Sequence, residues 1–383
     1  IDQTLLMLLV TLSMIGLAAL YSAAYENPTR ILNQLINLGL AFTAMWVAAQ
    51  IPPQTLMRLA VPAYLVGVAF LVGVYLFGDV VNGAKRWLHV GVTRFQPSEM
   101  MKLALPLVLA WYFHKNESVL RARDFAMAAL LVAIPVAFIA KQPDLGTAAL
   151  VGAAGFYVIF FAGLGWKVLG TLIDPNQDPL GAGYHTIQST IAVGSGGLTG
   201  KGWLHGTQTH LEFIPERHTD FIFAVFSEEF GLAGNMLLVT LYALLIARGL
   251  MIAANAPTVF ARLLAASVTL MFFTYAFVNM GMVSGILPVV GVPLPFISYG
   301  GTALLTLFIA IGILMSVHRH RRRTDRLGLH QRAARIAERV LEPVPPGGLE
   351  PHDVQPPFAH TSRCIWIACS ATYCSVLSPI FWL

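Results

Sequence analysis

Residues Leu211 to Glu229 read LEFIPERHTDFIFAVFSEE and join a polar cluster directly to an apolar helix. The members of this cluster are Glu216, Arg217, His218, Thr219 and Asp220. An acidic side chain at the mouth of a membrane helix costs free energy unless a partner, water or substrate compensates it, so Asp220 is a candidate functional residue. Ordinary helix capping is the alternative, with Thr219 as the N-cap and Asp220 in the first turn. Capping alone explains neither the charged residues before Thr219 nor the long loop that precedes them.

The composition predicts a polytopic membrane protein. Of 383 residues, 56% are hydrophobic and 11% are charged, whereas a typical soluble domain has about 25% charged residues. Much of the net charge of +5 lies in residues 318–326 (HRHRRRTDR), directly after an apolar segment, which predicts a cytoplasmic end. No basic groove or aromatic platform accompanies this run, so nucleic acid is not an expected partner. The cysteines show no metal-binding spacing.

Nine apolar segments are long enough, or nearly so, to cross a bilayer, which takes about 20 helical residues. They lie near residues 4–24, 31–50, 56–77, 99–114, 125–140, 146–165, 220–247, 261–283 and 298–317. We therefore expect an all-α polytopic membrane bundle over residues 1–317. A basic cytoplasmic juxtamembrane segment (318–342) should follow, with a basic amphipathic helix at 329–341. Residues 343–383 are expected to be a linker and a disordered or non-native tail.

Counting basic residues from the two ends of the chain gives topologies that disagree by one crossing. From a cytoplasmic N-terminus, the sixth segment ends inside at Lys167, whereas counting back from the arginine run places residues 174–219 outside. Only residues 168–173 separate Lys167 from Asp174, too few for a span. Either one inside loop is misassigned or a transmembrane segment is missing here. Basic residues support the count from each end, so neither count is easily dismissed. This favours a missing transmembrane segment over a misassigned loop.

The predicted outside loop at 174–219 is long for a structureless connection, so we expect it to be functional. Its glycine-rich middle, GSGGLTGKGWLHGTQTHLEF at 194–213, allows tight turns and close approach of the backbone to a ligand. A flexible linker is the alternative. Interleaved apolar residues such as Trp203 favour a folded loop resting on the membrane surface.

A second outside segment, residues 79–98, mixes basic with aromatic and aliphatic side chains. This mixture is typical of a segment lying in the lipid headgroup region. Lys85 and Arg86 break the positive-inside rule there, so they are candidates for gripping phosphate, with simple interfacial anchoring as an equal alternative.

Ionisable residues also lie at or within predicted spans. Glu99 and Lys102 are three residues apart, so on a helix they share a face and can neutralise one another. Lys141 and Asp144 flank a turn and can pair likewise. These charges either hold the bundle together as internal ion pairs or surround a cavity open to the outside, with Asp220 at its edge.

The last predicted span opens with Ser298 and follows a proline-rich stretch. Irregular backbone at membrane depth must face protein or water, so a re-entrant turn lining the cavity is one interpretation. Plain helix capping by Ser298 is an equal alternative.

Seven strings in this sequence resemble the SEDS family of RodA, FtsW and SpoVE, in the family's order and over roughly residues 1–326. They are NGAKRW (82–87), QPSE (96–99), KQPDLGTA (141–148), GSGGLTGKGW (194–203), PERHTDFIFAV (215–225), SEEFG (227–231) and GVPLPFISYGGT (291–302). The Glu-Arg before His218 looks closest to the RodA branch. The family has ten transmembrane helices with both termini cytoplasmic. Its seventh should lie between Lys167 and Asp174, where the charge count fails.

The resemblance implies peptidoglycan glycosyltransferase activity during cell elongation, on the outer face of the bacterial cytoplasmic membrane. The implied substrate is lipid II, an undecaprenyl-diphosphate-linked disaccharide-peptide. A class B penicillin-binding protein transpeptidase and other elongation-complex proteins are the implied partners. The family's essential aspartate falls on Asp220, and its fourth-helix Glu and Lys fall on Glu99 and Lys102. The candidate substrate-binding residues are Lys85, Arg86, Gln96, Ser98, Lys141, Asp144, Glu216, Arg217, His218, Thr219 and Ser298.

The chemistry of such a transfer assigns expected roles. An α-linked donor and a β-linked product require one displacement, for which Asp220 is the base or orienting group of the acceptor hydroxyl. Lys102, Arg86 or a divalent cation (Mg²⁺ or Mn²⁺, with Asp220 as a ligand) would hold the diphosphate, and Glu99 would position Lys102. No cofactor is certain from the sequence, and metal use is left open.

Two other functions remain as alternatives. A flippase or transporter of the lipid-linked precursor suits intramembrane charges equally well, although the internal repeat found in many transporters is not evident. A non-catalytic scaffold would leave the Asp220 cluster unexplained. A chain that truly lacks the seventh helix is expected to lose the cavity and the activity.

Overall fold

The computed structural model describes residues 2–24, 28–81, 84–90, 93–117, 120–163, 194–206 and 218–341, without the side chains of 79–85, 89–95 and 322–341. Several predicted features lie outside the described residues. They are Glu216, Arg217, the side chain of Lys85, most of the 174–219 loop, and the tail from 342 to 383.

Each of the nine predicted spans corresponds to one helix in the described ranges. These are α1 (Gln3–Ala23), α2 (Pro28–Ala48), α3 (Pro53–Phe77), α4 (Pro97–Lys115), α5 (Ala122–Ala140), α6 (Leu145–Phe161), α7 (Ile222–Ala254), α8 (Val259–Val283) and α9 (Thr302–Leu341). Seven of them are long and apolar enough to cross a membrane, and α6 is a shorter apolar helix. The predicted polytopic helical bundle is therefore confirmed.

The segment between α3 and α4 departs from the all-α expectation. It forms three short strands, β1 (Asp79–Val81), β2 (Ala84–Val90) and β3 (Thr93–Phe95), paired antiparallel in the order β1-β2-β3. Val81 lies opposite Ala84, and Leu88 lies opposite Phe95. Valine, threonine and aromatic residues favour extended backbone, so the same residues that predict an interfacial segment also form a small sheet.

Helix α8 lies at the centre of the bundle and packs against α4, α6 and α7. It buries 67% of its most apolar stretch, whereas the peripheral α5 buries 17%. Side chains that project from α8 can therefore reach several other elements at once. The predicted site depends on this central position.

The start of α1 is tied to the ends of two distant helices. Asp2 caps α1 through the N–H of Leu5 (3.1 Å), and Arg248 of α7 donates to the Asp2 carboxylate at 2.6 Å. His318 of α9 lies 3.4 Å from the same carboxylate. Burial raises the pKa of Asp2, but the hydrogen bonds from Arg248 and Leu5 and the charges of Arg248 and His318 outweigh it and lower that pKa.

The chain divides into two compact units, residues 1–327 and 328–383. In the second unit, the described residues are the helical ones up to Leu341. Every residue of the predicted site belongs to the first unit.

Candidate functional site

Residues 218–220 form a turn just before α7, here called the Asp220 turn. Its first two carbonyls accept hydrogen bonds from the loop of residues 284–301, which joins α8 to α9. The N–H of Tyr299 donates to the His218 carbonyl (2.9 Å), and the hydroxyl of Ser298 donates to the Thr219 carbonyl (2.7 Å). The Ser298 hydroxyl also accepts from the N–H of Leu294 (2.7 Å). One serine therefore links the Asp220 turn to the 284–301 loop.

The carbonyl of Asp220 is held from α8. The side-chain nitrogen of Asn279 donates to it at 2.8 Å and also donates to the Val292 carbonyl at 2.7 Å. The carboxylate of Asp220 faces the 284–301 loop, because a methyl group added at Gly291 would lie 3.3 Å from Asp220 Oδ2. Gly291 has a φ of 65°, which favours glycine. Asp220 is half-buried, with its backbone fixed from two elements.

Both capping alternatives considered from the sequence are wrong. Helix α7 begins at Ile222, with Phe221 at the N-cap position and no side-chain cap. Thr219 lies two residues earlier, and its carbonyl is bonded to the 284–301 loop. Helix α9 begins at Thr302, so Ser298 lies within the irregular loop and does not cap the helix.

A second group of polar residues lies inside the bundle, here called the buried cluster: Glu99 and Lys102 of α4 and Tyr275 of α8. Lys102 Nζ lies 2.7 Å from Glu99 Oε1, as their spacing predicts, and it also donates to the Tyr275 hydroxyl. Lys102 is 2% exposed and Glu99 is 6% exposed. A buried charge is tolerated when it is paired and hydrogen-bonded, and both conditions hold for Lys102.

A third group lies between the sheet and the start of α6. Arg86 donates to the Pro143 carbonyl (2.7 Å), and its Nε lies 3.8 Å from the Asp144 carboxylate. Gln96 donates to the same carboxylate at 3.4 Å, so three predicted substrate-binding residues meet here. Ser98, another of them, is buried at the start of α4.

The predicted pairing of Lys141 with Asp144 is wrong. Asp144 caps α6 by accepting from the N–H of Thr147 (3.1 Å), and its ion-pair partner is Arg86. Within the described part of the chain, Lys141 forms no ion pair. The capping geometry turns the Asp144 carboxylate toward its own helix and the sheet.

An apolar cavity of about 280 Å³ borders the buried cluster. It lies between α3, α4 and α9 and is lined by Ala63, Glu99, Met100, Leu103, Ala104, Leu107, Thr302, Leu305, Thr306 and Ile309. Asp220 is not among the lining residues, so this cavity differs from the expected one that has Asp220 at its edge. Glu99 is its acidic boundary.

The sequence reasoning missed a polar face of α2. Arg30 lies 3.5 Å from the His218 ring, and Gln34 contacts Ser298 at the same distance. Asn37 lies beside Gly301. Their spacing of four and three residues puts these side chains on one face of α2. Polar residues at helical spacing inside an apolar segment are the signal that predicts such a face.

The glycine-rich segment, residues 194–206, is inserted into α7 at a kink. Gly231 has a non-helical φ of 63°, and the two N–H groups that follow it turn away from the helix. Leu232 donates to the Gly197 carbonyl (2.9 Å), and Ala233 donates to the Leu198 carbonyl (3.0 Å). In an unbroken helix these donors would bond to residues 228 and 229.

The carbonyls released by the kink are satisfied by the same segment. The N–H of Lys201 donates to the Glu228 carbonyl, and the N–H of Gly202 donates to the Glu229 carbonyl, both at 3.0 Å. The four backbone bonds replace those that the kink removes. The prediction of a folded loop is therefore confirmed for these residues, and Gly196 and Gly200 lie against the α7 backbone.

Side chains add to this attachment. Glu228 is fully buried, and its carboxylate accepts from Lys201 Nζ at 2.7 Å. The carboxylate of Glu229 accepts from the Ser22 hydroxyl and from the N–H of Leu204 (3.3 Å). Trp203 donates to a carbonyl of α1. The segment thus connects α7 to α1.

Comparisons with known proteins agree with these features. The profile of the FtsW/RodA/SpoVE family, described as "Cell cycle protein", matches residues 2–174 and 169–323. Peptidoglycan glycosyltransferase MrdB of Escherichia coli K12 is 45% identical over 349 residues, covering 84% of this chain and 94% of MrdB. The probable peptidoglycan glycosyltransferase FtsW of Geobacter metallireducens is 34% identical, covering 82% of this chain and 94% of that protein.

Solved structures of proteins with similar sequences also match the fold of this chain. The crystal structure of Thermus thermophilus RodA has a TM-score of 0.69 and 33% identity, covering 84% of this chain and 97% of RodA. A chain from a peptidoglycan synthase complex has a TM-score of 0.72 and 32% identity, covering 84% of this chain and 98% of that one. The chain belongs to the FtsW/RodA/SpoVE family. It is therefore a multi-pass membrane protein.

The family match also locates the topological discrepancy. The two profile matches meet at residues 169–174, within the interval where the charge count fails. The alignment to MrdB runs over 349 positions but uses only 84% of the 383 residues here. Part of MrdB therefore has no counterpart in this chain, and the prediction that a seventh helix is missing stays a prediction.

Proposed function

We propose that this protein is a peptidoglycan glycosyltransferase that polymerises lipid II during cell elongation. The names of its relatives MrdB and FtsW support the enzyme class. The structural observation that carries the proposal is the Asp220 turn. Hydrogen bonds from α8 and the 284–301 loop fix all three of its carbonyls, and Asp220 as a residue is half-buried.

Asp220 is the base, or the orienting acceptor, for the 4-hydroxyl of the acceptor sugar. A fixed backbone favours this role because general-base catalysis requires the carboxylate within hydrogen-bond reach of the proton it takes. The proton moves from the hydroxyl to Asp220 as the sugar oxygen attacks the anomeric carbon. The C–O bond to the diphosphate breaks in the same displacement, which inverts the configuration.

The leaving diphosphate is stabilised by nearby cations. Arg86 is better placed than Lys102 to contact the diphosphate directly, because its side chain is 36% exposed and is anchored by the Pro143 carbonyl. Lys102 is buried and paired with Glu99, so it stabilises the diphosphate through its positive charge and makes no direct contact with it. Glu99 positions Lys102, and the apolar cavity beside Glu99 suits a lipid tail.

A divalent cation fits this site only if diphosphate oxygens of the substrate serve as additional ligands. In the described ranges no three His, Cys, Asp or Glu side chains converge as a protein metal cage would need. Asp220 can hold Mg²⁺ or Mn²⁺ together with diphosphate oxygens, because Mg²⁺ is often bound by one or two carboxylates plus substrate phosphates. Polymerisation that persists after exhaustive chelation would remove the cation from the mechanism.

In the cell, the proposed site faces the outside of the cytoplasmic membrane and the C-terminus lies in the cytoplasm. The basic residues 318–326 support this orientation. A class B penicillin-binding protein transpeptidase is the proposed partner. This assignment is supported by the similarity to a chain of a complex that coordinates polymerization and crosslinking.

The test is reconstitution with labelled lipid II and the transpeptidase partner. Two forms are compared: the chain itself, and a version with the unmatched MrdB residues inserted between Lys167 and Asp174. We expect the inserted form to polymerise and the chain itself to be at least tenfold slower. Asp220→Ala should abolish polymer in both. Lipid II flipping without polymer from the inserted form overturns the proposal, and so does the absence of both activities in that form.

A further inference from the structure

We propose that Asn279 is a positioning residue, which holds Asp220 at a fixed place relative to the buried cluster. The inference rests on the proposed function, since it gives Asn279 a role only through Asp220. Asn279 is fully buried on α8, and its amide nitrogen donates to the carbonyls of Asp220 and Val292. Both hydrogens of that nitrogen are therefore used.

The two acceptors lie in irregular backbone, one in the turn that carries Asp220 and one in the loop that its carboxylate faces. Asp220 belongs to the turn before α7, and Val292 follows Gly291, the residue that the carboxylate faces. One amide group thus bonds both the Asp220 turn and the loop that the Asp220 carboxylate faces. Its removal frees both carbonyls and loosens the position of Asp220, while Ser298 and Tyr299 still join the two segments.

Helix α8 connects this amide to the other end of the site. Tyr275 lies four residues before Asn279, so the two side chains share a face about 6 Å apart along the axis. Tyr275 accepts a hydrogen bond from Lys102 in the buried cluster. About one turn of a buried helix therefore fixes the distance between Asp220, the proposed base, and Lys102, whose charge is proposed to stabilise the diphosphate.

The oxygen of the same amide contributes nothing to this link. Among the described residues, Asn279 Oδ1 is buried and has no hydrogen-bond partner. An apolar side chain of this size would remove that unpaired oxygen but would leave the Asp220 and Val292 carbonyls without their donors. The donor pair of the nitrogen is what distinguishes asparagine here.

Ser267 supplies a matched control on the same helix. Its buried hydroxyl donates to the Ala154 carbonyl of α6 at 2.7 Å, away from the Asp220 turn. Ser267→Ala and Asn279→Ala each remove a buried side-chain donor from α8. They differ in that only Asn279 holds the proposed base.

The experiment measures steady-state polymerisation of lipid II and thermal unfolding, in the polymerising form of the chain with its partner. We expect Asn279→Ala to lower kcat by about 10–100-fold, with the KM for lipid II nearly unchanged, because misplacing a catalytic group by about 1 Å has effects of this size. Asn279→Gln keeps the amide but moves it by one methylene, and it should also lower kcat. Ser267→Ala should keep wild-type kcat.

A second comparison isolates the route through Asp220. Adding Asn279→Gln to Asp220→Asn should cause no further loss, because a positioning residue cannot act once its target is gone. Wild-type kcat in Asn279→Gln overturns the inference alone, and so does an equal loss in both backgrounds. Normal polymerisation by Asp220→Asn overturns both the proposed mechanism and the inference.

Discussion

The Asp220 turn directly precedes α7, and the glycine-rich segment contacts α7 at its kink. Both regions form hydrogen bonds with parts of the chain that are distant in sequence. In the Asp220 turn, two of the three donors are side chains, Ser298 and Asn279. In the glycine-rich segment, the four bonds into α7 join backbone to backbone. The first arrangement fixes the backbone that carries the Asp220 carboxylate, and the second completes an interrupted helix.

The difference predicts how each region responds to mutation. A side-chain donor can be removed while the backbone path stays open, so changes at the Asp220 turn should reduce activity more than folding. At Gly196 and Gly200 of the glycine-rich segment, contact with the α7 backbone leaves no space for a Cβ atom. Changes there should reduce folding first, and activity should fall only as a consequence.

The largest expected effect is on activity at the Asp220 turn. Asp220→Asn keeps the size of the side chain and all backbone bonds but removes the base, so polymerisation should fall by at least about 10²-fold. The melting temperature should stay near that of the wild type. A melting temperature that falls together with activity would contradict the division between the two regions.

The next largest effect is on stability at the glycine-rich segment. Gly200 has a φ of 80°, and a methyl group there would overlap the carbonyl oxygen of Glu229. Gly200→Ala should therefore destabilise the protein by at least about 2 kcal/mol, from strain and overlap together. Gly194→Ala is the matched control, since nothing lies within 4 Å of its added methyl. Equal melting temperatures of the two variants in detergent would refute the backbone contact.

A smaller effect on both properties is expected at Ser298. Ser298→Ala leaves the N–H of Leu294 and the Thr219 carbonyl without this partner, at a cost of about 1–3 kcal/mol. Polymerisation should fall less than in Asp220→Asn. Thr240→Val is the control, because Thr240 is exposed and bonds only within its own helix. A Ser298→Ala protein as stable as this control would argue against the link.

The smallest effect is expected far from both regions, at Asp2. The pKa of Asp2 is lowered in the folded protein, so its stabilising contribution is complete above the unfolded-state pKa of about 4. The contribution is lost as the pH falls through the lower folded-state pKa. Asp2→Asn should be less stable than the wild type at pH 7, and the gap should narrow below about pH 4. A gap independent of pH would exclude the ion pair as its source.

Much of the bundle could be predicted because apolar length is a local property. Nine segments correspond to nine helices in the described ranges. The pairing of Glu99 with Lys102 was also predictable, since residues three apart on a helix share a face. The three short strands were not, because their residues suit an interfacial segment and a strand equally well.

The rest of the site depends on contacts between distant residues. Asn279 and Ser298 reach the Asp220 turn from 59 and 79 residues away in the sequence. Arg86 reaches Asp144 only because the sheet folds back toward α6, which also explains the wrong pairing assigned to Lys141. Local spacing carries no information about such contacts.

The insertion of the glycine-rich segment into α7 constrains how the chain is assembled. Helix α7 contains four backbone groups that its own turns leave unpaired, and each unpaired group costs several kcal/mol in lipid. As an isolated span, α7 would carry these groups into the membrane without partners. The segment is synthesised before the helix, so we expect the kinked form of α7 to be completed only when the two meet.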